Sequence, residues 1–178
     1  MSAEDCLFLN GSYGVGKSAT LDHLADLYAE HGLPFALFDV DWFHRSWPTA
    51  VDDPRNLRTE ARNIAAVWRT YRETGPRTPI VAGVLESASD IERHEATFER
   101  PVRVVLLTAS RPVVEQRLRG RYDVSRTAAL DWHLADLDRV TSAIADVPAE
   151  LVIDTDERSP REVARVVFEH VARDLGVA

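Results

Sequence analysis

The chain has 178 residues, of which 45% are hydrophobic and 28% charged, and its formal net charge is -8. This length suits one folded domain, which is expected to bury about 70% of the surface of the unfolded chain. The acidic balance disfavours general binding to nucleic acid, which needs basic surface to displace counterions. One cysteine, Cys6, excludes an internal disulfide and a cysteine-rich zinc site.

The N-terminal residues and the apolar runs give no sign of targeting to a membrane. The first residues, MSAEDC, carry acids in place of the basic segment that opens a signal peptide. No apolar run reaches the ~18 residues that a membrane helix needs. We therefore expect a soluble, cytoplasmic protein without nucleic-acid or membrane partners, as a monomer or a homodimer.

Strand and helix patterns alternate along the chain. Five short apolar segments are predicted to be strands: 6–10, 35–39, 79–85, 102–107 and 151–153. Helical periodicity lies between them, and the helix starts are predicted at the glycine-rich turn after residue 10, at Asp53-Pro54, at residue 90, at Ser110, before Leu130 and at the capping box Ser159–Glu162. Apolar strands between helices predict a parallel sheet covered on both faces, in one domain spanning residues 1–178.

The glycine-rich turn carries the most specific motif. Residues 11–18, GSYGVGKS, fit the Walker A pattern G-x-x-x-x-G-K-[ST], between a buried strand and an amphipathic helix. Glycines let backbone N–H groups surround a phosphate, and the helix N-terminus adds partial positive charge. Lys17 is expected to reach the β- and γ-phosphates, and the Ser18 hydroxyl to bind Mg²⁺. The predicted nucleotide-binding residues are Gly11, Ser12, Tyr13, Gly14, Val15, Gly16, Lys17, Ser18 and Ala19.

With this loop, the chain resembles the P-loop kinases that phosphorylate small molecules: shikimate kinase, gluconate kinase, adenylylsulfate kinase and chloramphenicol phosphotransferase. The resemblance covers nearly the whole chain in layout and is specific at a few motifs. It implies a three-layer α/β fold like that of nucleoside monophosphate kinases, with strand order 2-3-1-4-5. It also implies ATP and Mg²⁺ as cofactors and a helical, arginine-bearing lid at about residues 117–131.

Two acids, Asp39 and Asp41, stand one residue apart at the end of the second predicted strand. In the pattern of shikimate kinase, the first acid of such a pair helps to hold Mg²⁺ and the second binds the acceptor hydroxyl. By that resemblance, Asp39 is predicted on the metal side, and Asp41 as the acceptor contact or general base. The alternative is that both acids merely begin a loop, where aspartate is common.

Several residues keep two interpretations. Arg45 either binds an anionic acceptor or is a solvated arginine. Glu86, after the third strand, either contacts the water shell of the metal or the acceptor, or is a loop acid. His133 either contacts the acceptor or is a partly buried helical histidine. The third strand lacks the h-h-h-h-D-E pattern of hydrolysing ATPases, and no N-K-x-D motif of a GTPase occurs.

Arginines are concentrated in one region of this acidic chain, at positions 111, 117, 119, 121 and 126. Arg117 and Arg121 are four residues apart and share one helix face. By the resemblance, Arg117 would stack on adenine and Arg121 would reach the phosphates, whereas the alternative is a salt-bridged surface helix. The loop after the fifth strand, which contains Asp156, lies where related kinases hold adenine through backbone contacts.

These observations predict an ATP- and Mg²⁺-dependent phosphotransferase for the hydroxyl of a small molecule, with Lys17, Asp41, Asp39, Arg117 and Arg121 as catalytic residues and Ser18 and Asp39 on the metal. One alternative is a nucleoside monophosphate kinase, which would need an arginine clamp; Arg45, Arg58 and Arg62 are available without a spacing that singles them out. The other alternative is a nucleotide-binding regulatory module without phosphotransfer.

Overall fold

The computed structural model describes residues 5–175 of the chain, in which strands and helices alternate. The strands are β1 (Cys6–Asn10), β2 (Phe35–Asp39), β3 (Thr78–Ala82), β4 (Val102–Thr108) and β5 (Leu151–Asp154). The helices are α1 (Lys17–Glu30), α2 (Leu57–Arg72), α3 (Ala88–Phe98), α4 (Arg111–Arg121), α5 (Thr127–Ala145) and α6 (Pro160–Leu175). Single 3-10 turns occur at Val40–Trp42 and Val124–Arg126.

The five strands form one parallel sheet in the order β2-β3-β1-β4-β5, as predicted. β1 is central: Leu7 pairs with Ile80 of β3 on one side, and Phe8 pairs with Val104 of β4 on the other. Every residue of β1 is buried, because helices cover both faces of the sheet. Since parallel strands share one carboxyl edge, the loops that follow β1, β2 and β3 meet there.

Alternate residues of β1 belong to two separate hydrophobic cores. Leu7 and Leu9 pack in the core under α1, α4, α5 and α6, whereas Cys6 and Phe8 pack in the core under α2 and α3. This alternation follows from the two-residue period of a strand, which sends successive side chains to opposite faces. The predicted three-layer α/β fold is therefore confirmed. Cys6 is fully buried, and burial raises the pKa of its thiol, so it acts as a core residue.

The third strand ends earlier than the predicted residue, Leu85. β3 stops at Ala82, and the next amide, of Gly83, still donates to the carbonyl of Leu9 at 3.2 Å. Beyond it, the Asn10 side chain accepts from the Leu85 amide at 2.8 Å and donates to the Leu85 carbonyl at 3.2 Å. A buried side-chain amide thus replaces the missing strand partner, which explains why an apolar segment continues past the sheet.

The start of α2 was predicted at Asp53 and Pro54, and this is wrong by several residues. Residues 53–56 form a tight turn, and the helix begins at Leu57. Asp53 nevertheless caps the helix, because its carboxylate accepts from the amides of Arg58 at 3.2 Å and Thr59 at 2.9 Å. The capping chemistry was predicted correctly, but the intervening turn was not.

Two other predicted caps have different outcomes. Ser110 precedes α4 without a capping bond from its side chain; instead, its amide donates to the Asp156 carboxylate at 2.7 Å. The capping box at α6 is confirmed, because the Ser159 amide donates to Glu162 at 2.8 Å and the Glu162 amide donates to the Ser159 hydroxyl at 3.3 Å. Among residues 5–175, no helix is both long and apolar enough to cross a membrane.

Candidate active site

The glycine-rich turn forms a loop between β1 and α1, and its glycines are required by backbone shape. Gly14 and Gly16 have φ values of 72° and 102°, which favour glycine. At Gly11, a Cβ atom would lie 2.6 Å from the Leu107 carbonyl oxygen, so no larger residue fits. This backbone leads into the first turn of α1, where unpaired N–H groups and the helix dipole favour an anion.

Lys17 is the first residue of α1, and its side chain folds back over the loop. Its Nζ donates to the carbonyls of Gly11 at 2.8 Å and Ser12 at 2.9 Å. The pKa of Lys17 is lowered to about 8, mainly by burial and to a lesser extent by Arg121, whereas Asp41 and Asp39 act in the opposite direction. The ammonium therefore lies within electrostatic range of both predicted acids and of one lid arginine.

Ser18 and Asp39 come together although they are 21 residues apart in the sequence. The Ser18 hydroxyl donates to Asp39 Oδ2 at 2.6 Å, and Asp39 Oδ1 accepts from the Asp41 amide at 3.2 Å. A hydroxyl beside a carboxylate is a hard oxygen pair that fits Mg²⁺, which takes one or two protein ligands and completes its shell with water and phosphate oxygens. No cluster of three or more His, Cys, Asp or Glu residues suited to a metal occurs in the described part of the chain.

Asp41 stands between two adjoining clefts. The loop cleft, of about 310 Å³, is lined by the glycine-rich loop, Lys17, Ser18, Asp39 and parts of α4. The side cleft, of about 630 Å³, lies between the turn after β2, α2, the segment after β3 and α5. The residues that line both clefts are Tyr13, Asp41, Arg45, Val84 and His133. If one group were bound in each cleft, the two groups would therefore meet at this shared wall.

The arginines of α4 separate into two sets. Arg117 and Arg121 line the loop cleft, whereas Arg111 and Arg119 pair with Glu115 on the outer face of the helix, at 2.8 and 3.9 Å. The guanidinium of Arg117 donates to the Thr155 carbonyl at 2.6 Å and to the Thr155 hydroxyl at 3.0 Å. The salt-bridged surface thus describes Arg111 and Arg119, whereas the roles of Arg117 and Arg121 toward a nucleotide stay predictions for two side chains that line the loop cleft.

The loop after β5 closes a small cavity next to the glycine-rich loop. This cavity, of about 150 Å³, is lined by residues that include Gly16, Arg117, Thr155 and Arg158. The side chain of Asp156 accepts from the amide that precedes α4, so it fixes the loop against that helix. Thr155, which no sequence motif singles out, is the residue of this loop that contacts Arg117.

Sequence reasoning missed an ion-pair network that crosses the side cleft. Arg139 of α5 donates to both carboxylate oxygens of Glu86 at 2.9 Å and to Asp136 at 2.6 Å. Asp136 also accepts from the Tyr13 hydroxyl at 3.1 Å, and Arg139 holds the pKa of Asp136 below its usual range. The spacing of Asp136 and Arg139 is a visible signal for a helical pair, but Glu86 comes from a different element.

Glu60 is the second residue of the side cleft that the sequence did not single out. It lies on α2, is 3% exposed, and its Oε2 is 3.0 Å from Nδ1 of His44. Nearby, His133 contributes to the cleft wall through an edge-on contact with the Tyr13 ring, with centroids 4.6 Å apart. A periodic helical position such as Glu60 gives no signal of its own, because surface acids are common on helices.

The arginines considered for a clamp on an acceptor phosphate are not gathered at one place. Arg45 lines both clefts, whereas Arg58 pairs with Asp52, and neither Arg58 nor Arg62 is among the residues that line the side cleft. Arg45 itself lies 4.0 Å from Asp41. The geometry therefore does not gather Arg45, Arg58 and Arg62 into the arginine clamp that a nucleoside monophosphate kinase would need.

Comparison with known proteins shows the fold. No protein-family model matches the sequence, and no curated protein matches it. Solved structures do match: a sugar kinase from Janibacter sp. HTCC2649 has 20% identity and a TM-score of 0.62, covering 98% of each chain. Shikimate kinase from Acinetobacter baumannii, in complex with shikimate, has 17% identity and a TM-score of 0.54, covering 97% of this chain and 95% of that one. The chain has the fold of the P-loop small-molecule kinases.

A third structure with the P-loop kinase fold carries ligands of its own. The adenylylsulfate (APS) kinase of Mycobacterium tuberculosis, in complex with AMPPNP and APS, has 15% identity and a TM-score of 0.62. The match covers 94% of this chain and 96% of that one. At these identities the likeness establishes the architecture of the chain, and its chemistry has to be argued from its own residues.

Proposed function

We propose that the chain is a phosphotransferase that moves the γ-phosphoryl group of ATP, in the presence of Mg²⁺, to a hydroxyl of a small molecule. The observation that carries this proposal is the position of Asp41, whose carboxylate lies in the wall common to the loop cleft and the side cleft. The P-loop kinase fold supports it. The loop cleft would hold the nucleotide and the side cleft the acceptor.

On the nucleotide side, the loop amides and Lys17 would bind the phosphates. Ser18 and Asp39 would hold Mg²⁺, which when bound neutralises phosphate charge and orients the transferred group. Lys17 now donates to loop carbonyls, so its ammonium is already confined to the place where phosphate oxygens would replace them. Because its donors are fixed beforehand, little reorganisation is needed when charge develops during transfer.

On the acceptor side, Asp41 would orient the hydroxyl and take its proton as the phosphoryl group is transferred. More than half of its side chain is exposed, and its nearest cation, Arg45, is 4.0 Å away, so the carboxylate is available to a ligand. A carboxylate that accepts the hydroxyl proton supplies general-base catalysis. Asp41 and Lys17 line the same loop cleft, which supports transfer from a nucleotide held at Lys17 to a hydroxyl at Asp41.

Residues 117–131 would act as the lid of a single kinase domain. Arg121 lines the loop cleft and would neutralise charge on the transferred group, whereas Arg117, fixed against Thr155, would stack on the adenine ring. Closure of this segment would exclude water from the phosphates and so prevent wasteful hydrolysis.

The test is ADP release from Mg²⁺-ATP across a panel of acceptors: sugars, sugar acids, shikimate, adenylylsulfate, aminoglycoside and phenicol antibiotics, nucleosides and nucleoside monophosphates. With the best acceptor, Asp41→Asn is expected to lower kcat by about 10²–10⁴-fold, because the general base is lost. Its affinity for Mg²⁺-ATP, measured by calorimetry, should stay within about twofold, since the side chain is acceptor-facing.

Asp52→Asn is the matched control, because Asp52 is an exposed acid of the same loop that pairs with Arg58 outside both clefts. Normal transfer by Asp41→Asn would contradict the assigned role of Asp41. Tight binding of ATP together with no transfer to any acceptor would favour the regulatory module instead. Transfer confined to nucleoside monophosphates would show that the acceptor class is wrong.

A further inference from the structure

Three carboxylates that line the side cleft, Glu86, Asp90 and Asp136, are already hydrogen-bonded to protein groups. Glu86 and Asp136 share Arg139, at 2.6 to 2.9 Å. Asp90 accepts from Arg93 at 2.5 Å and also from the amide of Glu86 at 2.9 Å. These acids have little capacity left to bind the hydroxyls or amines of a ligand.

Two arginines of the same cleft are differently placed. Arg45 approaches its nearest acid only to 4.0 Å and Arg55 only to 3.7 Å, distances too long for a hydrogen bond. Their side chains are 51% and 66% exposed. Each guanidinium carries five N–H donors, so both keep donors free for an anionic ligand in the cleft.

His44 adds a third donor, and a buried acid holds it. Nδ1 of His44 lies 3.0 Å from Oε2 of Glu60, and this contact raises the pKa of His44 above its ordinary value. Glu60 has two further neighbours on α3, His94 at 3.7 Å and Arg93 at 3.9 Å, both beyond hydrogen-bond distance. Burial lowers the pKa of His94 to about 4, so that ring stays neutral near pH 7, whereas the contact with Glu60 favours the protonated form of His44.

The second ring nitrogen of His44 has no hydrogen-bond partner within residues 5–175, and the residue lines the side cleft. Its main-chain carbonyl accepts from the Asn56 side chain at 2.8 Å, which fixes the backbone at this point. The charged groups that act on the ring are Glu60 from α2 and, from its own segment, Asp41, which raises its pKa, and Arg45, which lowers it. Glu60 is the only one of them at hydrogen-bond distance.

We propose that the side cleft binds its acceptor through an anionic group, held by His44 together with Arg45 and Arg55, while Asp41 faces the hydroxyl. This rests on the proposed function and narrows it: the acceptor is a small molecule that carries both a hydroxyl and a carboxylate, phosphate or sulfate group. The carboxylate is planar and the phosphate and sulfate groups are tetrahedral, but all three present charged oxygen atoms that imidazolium and guanidinium groups bind. Glu60 is a positioning residue, since it acts through His44.

The direction of the pH effect follows from the charge on His44. The anion binds the protonated ring, so its affinity is full below the pKa of His44 and falls as the pH rises through that value. Because Glu60 raises this pKa, Glu60→Gln should shift the loss of affinity to lower pH. A purely structural role for Glu60 would change stability without moving the pH at which the anion is released.

The experiment uses the full chain, with histidines labelled for NMR and the loop cleft filled with Mg²⁺-AMPPNP. Sodium sulfate and sodium acetate are titrated in separate runs at constant ionic strength, with chloride as the balance. His44→Gln identifies the His44 signal. We expect this signal to move saturably with at least one of the two anions. A response to sulfate alone would indicate an acceptor that carries a phosphate or sulfate group, and a response to acetate alone would indicate an acceptor that carries a carboxylate.

Two arginine variants distinguish a specific anion site from a general effect of salt. Arg55→Gln should weaken anion affinity by about tenfold, because a charge-assisted hydrogen bond is lost. Arg58→Gln should leave the affinity unchanged, because Arg58 pairs with Asp52 outside the cleft. A His44 signal that follows ionic strength alone, or equal affinities in Arg55→Gln and Arg58→Gln, would overturn the proposal.

The outcomes also separate this inference from the proposed function. Anion binding at His44 with no phosphotransfer to any acceptor would leave the anion site standing and refute the kinase. Efficient transfer to a neutral acceptor, with no anion binding at His44, would support the kinase and refute the anion site.

Discussion

The loop cleft and the side cleft are built in opposite ways. The loop cleft takes its glycine-rich backbone, Lys17 and Ser18 from one continuous segment, residues 11–18, and the rest of its wall from other elements, among them Asp39, Asp41 and α4. The side cleft takes its residues from several elements, and its ion pairs join positions as far apart as Glu86 and Arg139. The glycine-rich part of the loop cleft is therefore local in sequence, whereas the side cleft is not.

The two clefts also differ in how they use charge. Around the glycine-rich loop, Lys17 is a cation that hydrogen-bonds only to carbonyl oxygens. In the side cleft, Arg139 and Arg93 neutralise acids, and a buried carboxylate, Glu60, fixes one histidine. Substitutions in the loop should therefore affect every reaction of the protein, whereas those in the side cleft should affect acceptor binding and local stability.

The largest expected effect tests the loop cleft. Lys17→Ala should lower kcat by about 10³-fold or more, because the charge that neutralises the phosphates in the transition state is removed. The measurement is ADP release with the best acceptor of the panel, and thermal unfolding is the control for folding. If Lys17→Ala kept more than about a tenth of the turnover, the loop would not be the catalytic site, and the assignment of the nucleotide to the loop cleft would be wrong.

The next effect is on protein stability, and it concerns His94, which lies 3.7 Å from the side-cleft residue Glu60. Burial lowers the pKa of His94 to about 4, whereas the unfolded chain takes up that proton near 6.5. As the pH falls from 6.5 to 4, protonation of the unfolded state therefore destabilises the fold, by at most about 3 kcal/mol.

His94→Gln removes the titrating group, so its free energy of unfolding in urea should depend less on pH across this window than that of the wild type. His23→Gln is a suitable control, because His23 is a solvent-facing histidine of α1. An unchanged pH dependence in His94→Gln would mean that His94 is not held neutral next to Glu60.

The smallest effect is the pH dependence of nucleotide affinity in the loop cleft. Lys17 is the only lysine of the sequence, and its pKa is lowered to about 8. The nucleotide phosphates would bind its protonated form, so affinity for Mg²⁺-AMPPNP should fall by up to about tenfold between about pH 7 and pH 9.

A nitrogen-labelled lysine would report this titration directly by NMR, since there is only one side-chain signal to assign. Binding of Mg²⁺-AMPPNP should raise the pKa of Lys17, because phosphate charge favours the ammonium. A pKa that stays at about 8 in the complex would show that Lys17 does not contact the nucleotide.

Much of the fold was predictable because its signals are periodic and local. Apolar runs marked the strands, and Ser159 with Glu162 marked the start of α6. The errors arose where a tertiary contact replaced a local one. The Asn10 side chain takes over from the sheet beyond Ala82. Ser110 was predicted to cap α4 with its side chain, but it makes no such bond, and its amide donates to Asp156 instead.

For the site, the sequence alone determined the glycine-rich loop, Lys17 and Ser18, because a phosphate is bound by backbone amides and adjacent side chains whose spacing is fixed in one segment. The pair Asp39 and Asp41 was visible as a pattern, but only the parallel sheet, in which β3 lies between β1 and β2, brought Asp39 to 2.6 Å from Ser18. The network around His44, Glu60 and Arg139 was decided by tertiary structure. Its residues are distant in the sequence and ordinary in their local context, and folding brings them to one cleft, where their charges interact.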